Sequence, residues 1–128
     1  MTPRLKVFFD GGCRPNPGEM ETAVFARGRA HIRRDLGYGG SSEAEWLALI
    51  HAAELALDLG VRDVEFVGDS ATVIGQAKGL VKCRSAVLGK HLDAFHRLAR
   101  SFSRDRIRRV GRSQNLAGIA LAKLRSGL

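Results

Sequence analysis

The chain has 128 residues, 45% of them hydrophobic, enough to bury an apolar core in one domain without disulfide staples. Its 21 Lys and Arg against 13 Asp and Glu leave a net charge of +8, which favours a polyanionic partner held through phosphate contacts. Short apolar runs, an N-terminus without a signal-peptide pattern and two isolated cysteines, Cys13 and Cys83, argue against membrane-spanning, secreted disulfide-rich and zinc-scaffold classes; the expected setting is the cytoplasm, with reduced thiols.

Leu5, Val7 and Phe9 alternate with Lys6, Phe8 and Asp10, which predicts a two-faced strand over Arg4 to Asp10, ending on the acid and a glycine-rich turn. After Asn16-Pro17-Gly18, Thr22 to Ala26 and Ala30 to Leu36 read as two more strands joined by a tight turn at Arg27 and Gly28. From Ser42 to Leu59 the period becomes helical, with Trp46, Ile50, Ala53 and Leu57 on one stripe, Glu45, Leu49, Ala52 and Ala56 beside it, and Gly60 as the stop. Val64, Phe66 and Val67 form a fourth strand ending at Gly68-Asp69, and Ser70 opens a brief helix that stops near Gly79. Beyond a basic connector, Leu88, Leu92, Phe95, Ala99 and Phe102 make one apolar seam on a helix that Ser85 can cap. Ile107 and Val110 mark a fifth strand, and Asn115 to Leu124 a terminal helix. This succession predicts an α/β fold, a mixed five-stranded sheet whose first three strands are antiparallel, with helices on both faces, in a single domain over residues 1–128.

Each acid near these boundaries has an ordinary explanation. Asp10 before Gly11 can be a turn residue, Ser42 and Glu45 have the spacing of a capping box, and Asp69 can cap the helix at Ser70. Glu45, however, heads the stripe of Leu49, Ala52 and Ala56 and therefore faces the sheet, where burying a carboxylate is costly unless a metal or donors compensate.

Three motifs taken jointly are more specific: Phe9-Asp10-Gly11-Gly12-Cys13 with Asn16-Pro17-Gly18, then Ala44-Glu45-Trp46-x-Ala48-Leu49, then Val67-Gly68-Asp69-Ser70. In order and over essentially the whole chain they resemble the type 1 ribonuclease H family. The resemblance implies that Asp10, Glu45 and Asp69 are catalytic and hold two magnesium (or manganese) ions, with Asp10 bridging them, and that water cuts the RNA strand of an RNA/DNA hybrid. It also implies nucleic-acid contacts from Gly11, Cys13, Asn16, Ser41, Ser42 and Arg112.

The departures from the family pattern are equally specific. The final helix should read Asn-x-x-Ala-Asp-x-Leu-Ala, and here Asn115-Leu116-Ala117-Gly118-Ile119-Ala120-Leu121-Ala122 puts Ile119 in the fourth acid's place. Gly111, Arg112 and Ser113 stand where some members carry a loop histidine, Gly40 and Ala71 replace a Thr and a Gln, and the basic handle between Gly79 and Arg84 is reduced to a short connector. Lys78, Lys82 and Arg84 on the connector, and Arg104, Arg106, Arg108, Arg109 and Arg112 around the fifth strand, offer compensating phosphate contacts. His31, His51, His91 and His96 share no ligand spacing. The expectation is a ribonuclease H-type endonuclease with activity reduced by the missing acid. The alternatives are a nucleic-acid-binding domain that kept the fold and lost turnover, and a related nuclease acting on another nucleic acid.

Overall fold

Val7 and Phe9 are buried on one side of the first strand, while Phe8 and Asp10 are half-buried on the other, the pattern of a strand covered on both faces. In the computed structural model, which describes residues 3–127, that strand is β1, Leu5–Cys13. It pairs antiparallel with β2, Gly18–Ala26, which pairs antiparallel with β3, Arg29–Arg33. Arg27 and Gly28 close the β2–β3 hairpin at φ 51° and 76°, the left-handed pair that a two-residue hairpin turn requires. A two-residue strand β4, Tyr38–Gly39, returns to β2 before helix α1, Ser41–Asp58. Strand β5, Asp63–Gly68, runs parallel to β1 and leads into helices α2, Ala71–Ala77, and α3, Ala86–Ala99. Strand β6, Arg104–Arg109, lies parallel to β5, and helix α4, Leu116–Ser126, completes the described chain. The sheet order is β3-β2-β1-β5-β6 with β4 attached to β2, so the mixed sheet expected from sequence has five main strands and a short sixth.

Several boundaries differ from expectation, among them the start of β2 at Gly18 rather than Thr22 and the end of α3 at Ala99, short of Phe102. β1 does not end at Asp10: Gly11, Gly12 and Cys13 continue the ladder opposite Thr22, Glu21 and Met20. These glycines are strand residues, and Gly11 lies so close to the Ala44 backbone that a Cβ would collide with its carbonyl, which lets α1 settle against β1. β3 stops at Arg33 because Asp35 and Gly37 take positive φ, 57° and 100°, and turn the chain away from the strand direction. Helix α1 begins at Ser41 with Gly40 as its N-cap residue, so Ser42 lies inside the first turn and no Ser42/Glu45 capping box forms. The side chain of Asn16 takes over that task from a distant loop, accepting from the Ser41 amide at 3.2 Å. Ser70, not Asp69, caps α2, its hydroxyl accepting from the Val73 amide at 3.2 Å. Ser85 caps α3 in the same way, as its sequence position indicated.

The main core lies between the sheet and α1, α2 and α3, built from Val7, Phe9, Trp46, Leu49, Phe66 and Phe95 with their neighbours. Phe66 meets Phe95 and Phe102 edge-to-face at 5.6 and 5.9 Å, a favourable geometry for ring quadrupoles. Trp46 is fully buried and donates its indole N–H to Gln76 Oε1 at 2.9 Å, tying α1 to α2. On the opposite face Ala117 and Leu121 of α4 pack on Ala23, with Phe8 and Phe25 at the margin. Among the described residues no helix is long and apolar enough to cross a membrane.

Candidate metal centre

Three elements deliver three acids to one spot. Asp10 comes from β1, Glu45 from the second turn of α1, and Asp69 from the residue after β5. One carboxylate oxygen from each lies within 4.8 Å of the other two, and all three residues are half-buried. The parallel pairing of β1 with β5 puts their C-terminal ends on the same edge, and the close approach at Gly11 brings Glu45 over that edge. Ligands at the carboxyl ends of parallel strands are a general feature of α/β sheets.

Burial and mutual repulsion set the electrostatics of the three acids. The Asp10 carboxyl is pushed up to about 7, first by burial and then by the charges of Asp69 and Glu45, while the Gly11 amide and the Arg125 guanidinium pull it back. Burial also raises Glu45, opposed by the Ser70 hydroxyl and the Arg112 charge. A hard divalent cation would relieve both the desolvation and the mutual repulsion, and three carboxylates are the donor set such an ion takes.

The surrounding pocket, about 530 Å³, takes in Gly11, Cys13, Ser41 and Arg112 from the expected nucleic-acid contacts. Asn16 and Ser42 do not line it. Asn16 is occupied internally: its Oδ1 accepts from the Ser41 amide and from the Cys13 thiol, and its Nδ2 donates to Ser41 Oγ at 3.3 Å. Ile119 does line the pocket and is 39% exposed, so it contributes a greasy lip where an acid was expected.

Two residues given no role from sequence belong to the site. Asn115, fully buried, donates from Nδ2 to the Phe9 carbonyl and to Asp69 Oδ2, both at 3.0 Å, while its Oδ1 caps α4 by accepting from the Ala117 amide. One side chain thereby joins β1, the Asp69 carboxylate and α4; its place before the terminal helix hints at the cap but not at the other two bonds. Arg125 follows Gly118 by seven residues on the same face of α4 and donates from Nε to Glu21 Oε1 at 2.6 Å. Its Nη2 is buried without a hydrogen-bond partner among the described residues. Asn115→Ala is expected to cost about 1–3 kcal/mol by removing a cap and orphaning a buried carbonyl. Thermal unfolding checks this, and an unchanged melting temperature would count against the tie.

Comparison with known proteins agrees with this geometry. A family model described as reverse transcriptase-like matches residues 31–125. A curated ribonuclease HI from Halobacterium salinarum is 32% identical over 124 residues, covering 93% of this chain and 62% of that protein, so the chain spans less than two thirds of its length. The crystal structure of RNase H1 from the halophilic archaeon Halobacterium salinarum superposes with a TM-score of 0.89 at 27% identity, covering 98% of this chain and all of that one. The N-terminal RNase H domain of a Mycobacterium tuberculosis protein, solved as a maltose-binding-protein fusion, gives 0.81 at 25% identity over 93% of this chain and 95% of that one. With the family model, the curated relative and the structural neighbours in agreement, the chain belongs to the type 1 ribonuclease H family.

Proposed function

We propose that the protein is a metal-dependent endonuclease that hydrolyses the RNA strand of RNA/DNA hybrids. The observation that carries this reading is the convergence of Asp10, Glu45 and Asp69, one oxygen of each within 4.8 Å of the others, from three separate elements. Asp10, Glu45 and Asp69 would hold divalent cations, magnesium or manganese. Such ions would supply a lowered pKa for water and an offset to the charge on the attacking and leaving oxygens of a phosphodiester. The chain's own residues supply the rest: Asn115 holds Asp69 in orientation, Ser70 and Arg112 temper Glu45, and Arg14 and Arg112 at the pocket rim suit phosphate oxygens.

The direct test is cleavage of a labelled hybrid by pure protein in magnesium and in manganese, with single-stranded RNA and duplex DNA as controls. RNA-strand products from the hybrid alone are expected; no product with either ion would sink the nuclease reading. A second reading has its own support: Ile119 on the pocket wall offers no lone pair to a cation, which favours a hybrid-binding domain with little turnover. That alternative predicts salt-sensitive hybrid binding and no metal-dependent product.

A further inference from the structure

On the face of the sheet that carries Asp10, α4 packs across β1, β2 and β3. Towards β6 the same face changes character. The parallel registers place Lys6, Glu65 and Arg106 in one row across β1, β5 and β6, with Asp63 and Arg104 in the row before and Val67 and Arg108 in the row after. Lys6, Arg104, Arg106 and Arg108 are all exposed. Glu65 is engaged by Arg108 at 3.5 Å and Asp63 by Arg4 at 3.4 Å. Lys6, Arg104 and Arg106 consequently have no carboxylate within ion-pair distance among the described residues.

Alternate residues on a strand stand about 6.6 Å apart on one face, so Arg104, Arg106 and Arg108 form a row of like charges that repel one another. Solvation of a sheet face does not require this, since alternating signs serve as well. An extended polyanion charged at regular intervals relieves it, and guanidinium forks match phosphate oxygens. Base stacking has no platform there: Phe8, the aromatic residue of that face on β1, is half-buried against Phe25 with ring centroids 6.4 Å apart. The row is also continuous with the acid site. Arg112, just past the C-terminal end of β6, lines the pocket.

We infer that Lys6, Arg104 and Arg106 on the β6 side of the sheet form a second phosphate-binding tract that holds the duplex flank beyond the cleavage site without reading its sequence. The identity of that duplex as a hybrid rests on the nuclease reading; the tract itself requires only phosphates. The six residues of β6 span about 20 Å, which is about six base pairs of rise, so a substrate reaches the far end only when it extends that far past the acid site.

The test is the triple variant Lys6→Gln/Arg104→Gln/Arg106→Gln, assayed without divalent ions on hybrids of about 8 and about 20 base pairs over a range of salt. On the long hybrid the slope of log affinity against log salt should flatten by about 2 to 3, with roughly tenfold weaker binding at low salt, while the short hybrid binds unchanged. The control Lys6→Arg/Arg104→Lys/Arg106→Lys keeps the charges and should keep the slope. Unfolding temperatures of both variants verify that the fold is intact. Equal affinity and slope on the long hybrid, or equal losses at both lengths, overturns the tract; so does capture of an acidic protein by this face with hybrid binding untouched. If the natural chain cleaves nothing but the triple variant shows the length-dependent loss of binding, the nuclease reading fails and the tract stands. Normal cleavage with a silent triple variant gives the reverse.

Discussion

Asp10→Asn is expected to lower metal-dependent hybrid cleavage by at least about a thousandfold while raising the melting temperature of the metal-free protein at neutral pH. The loss of activity corresponds to roughly 4 kcal/mol of transition-state stabilisation, within what a bound cation supplies. The gain in stability has the same origin. Asp10 sits half-buried against Glu45 and Asp69, and its carboxyl is pushed up to about 7 by burial and by those two charges. The folded state therefore keeps a proton that the unfolded chain releases near the usual carboxylate value of 3.8. Its contribution is fully present below that value and is lost as pH rises through about 7. Asparagine removes this loss and can still accept from the Gly11 amide. The stability gap between variant and natural chain should open from about pH 4 to about pH 7 and level off above. Saturating magnesium should act oppositely on the natural chain, stabilising it more as pH rises through the same window, because ions compete with protons for the carboxylates. Melting curves across pH with and without the ion decide the matter. Equal melting temperatures for the two proteins at every pH, or an Asp10→Asn protein that still cleaves, would remove Asp10 from the centre of the site.

Ile119→Asp should move every one of these quantities in the opposite direction. The residue lies in the first turn of α4, its amide bonded to the Asn115 carbonyl, and its side chain is 39% exposed on the pocket wall. It belongs to none of the apolar clusters, so its replacement opens no cavity. A carboxylate there gains from the positive end of α4 but adds a fourth negative charge to a crowded site. The metal-free protein should melt lower, and divalent ions should bind more tightly. Cleavage in magnesium should rise by about tenfold or more, about 1.4 kcal/mol, with Ile119→Asn as the control that adds polarity without charge. Calorimetric titration with magnesium and initial rates on a hybrid measure both effects. If affinity and rate stay as in the natural chain, the three-acid site is complete as it stands; if neither protein turns over, the binding-domain reading gains.

These two substitutions expose a trade between stability and function. Glu45 and Asp10 are both held in conditions that disfavour their charge; the Gly11 amide and Arg125 are the partial remedies for Asp10, and Ser70 and Arg112 those for Glu45. Arg125 illustrates the cost: one nitrogen is satisfied by Glu21 while another is buried without a partner among the described residues.

The order of strands and helices, the mixed sheet and the three acids were legible in the linear chain, because each rests on local information. Alternation across Leu5 to Phe9, the four-and-three spacing from Leu88 to Phe102, and the acid-bearing motifs at Asp10, Glu45 and Asp69 all involve residues a few positions apart. Boundaries failed where a distant group overrode the local signal. Asn16 replaced the Ser42/Glu45 box at the start of α1, and pairing with β2 carried β1 through two glycines. Only the tertiary structure could assign Asn115 to Asp69, Arg125 to Glu21, or Lys6 to the row of Arg106, since those pairs are separated by 46, 104 and about 100 residues. Sequence thus determined which acids the protein carries and on which elements they ride. Packing of α1 and α4 onto opposite faces, together with the parallel register, decided that their charges meet, because contact at that range is set by how surfaces bury one another and not by spacing along the chain.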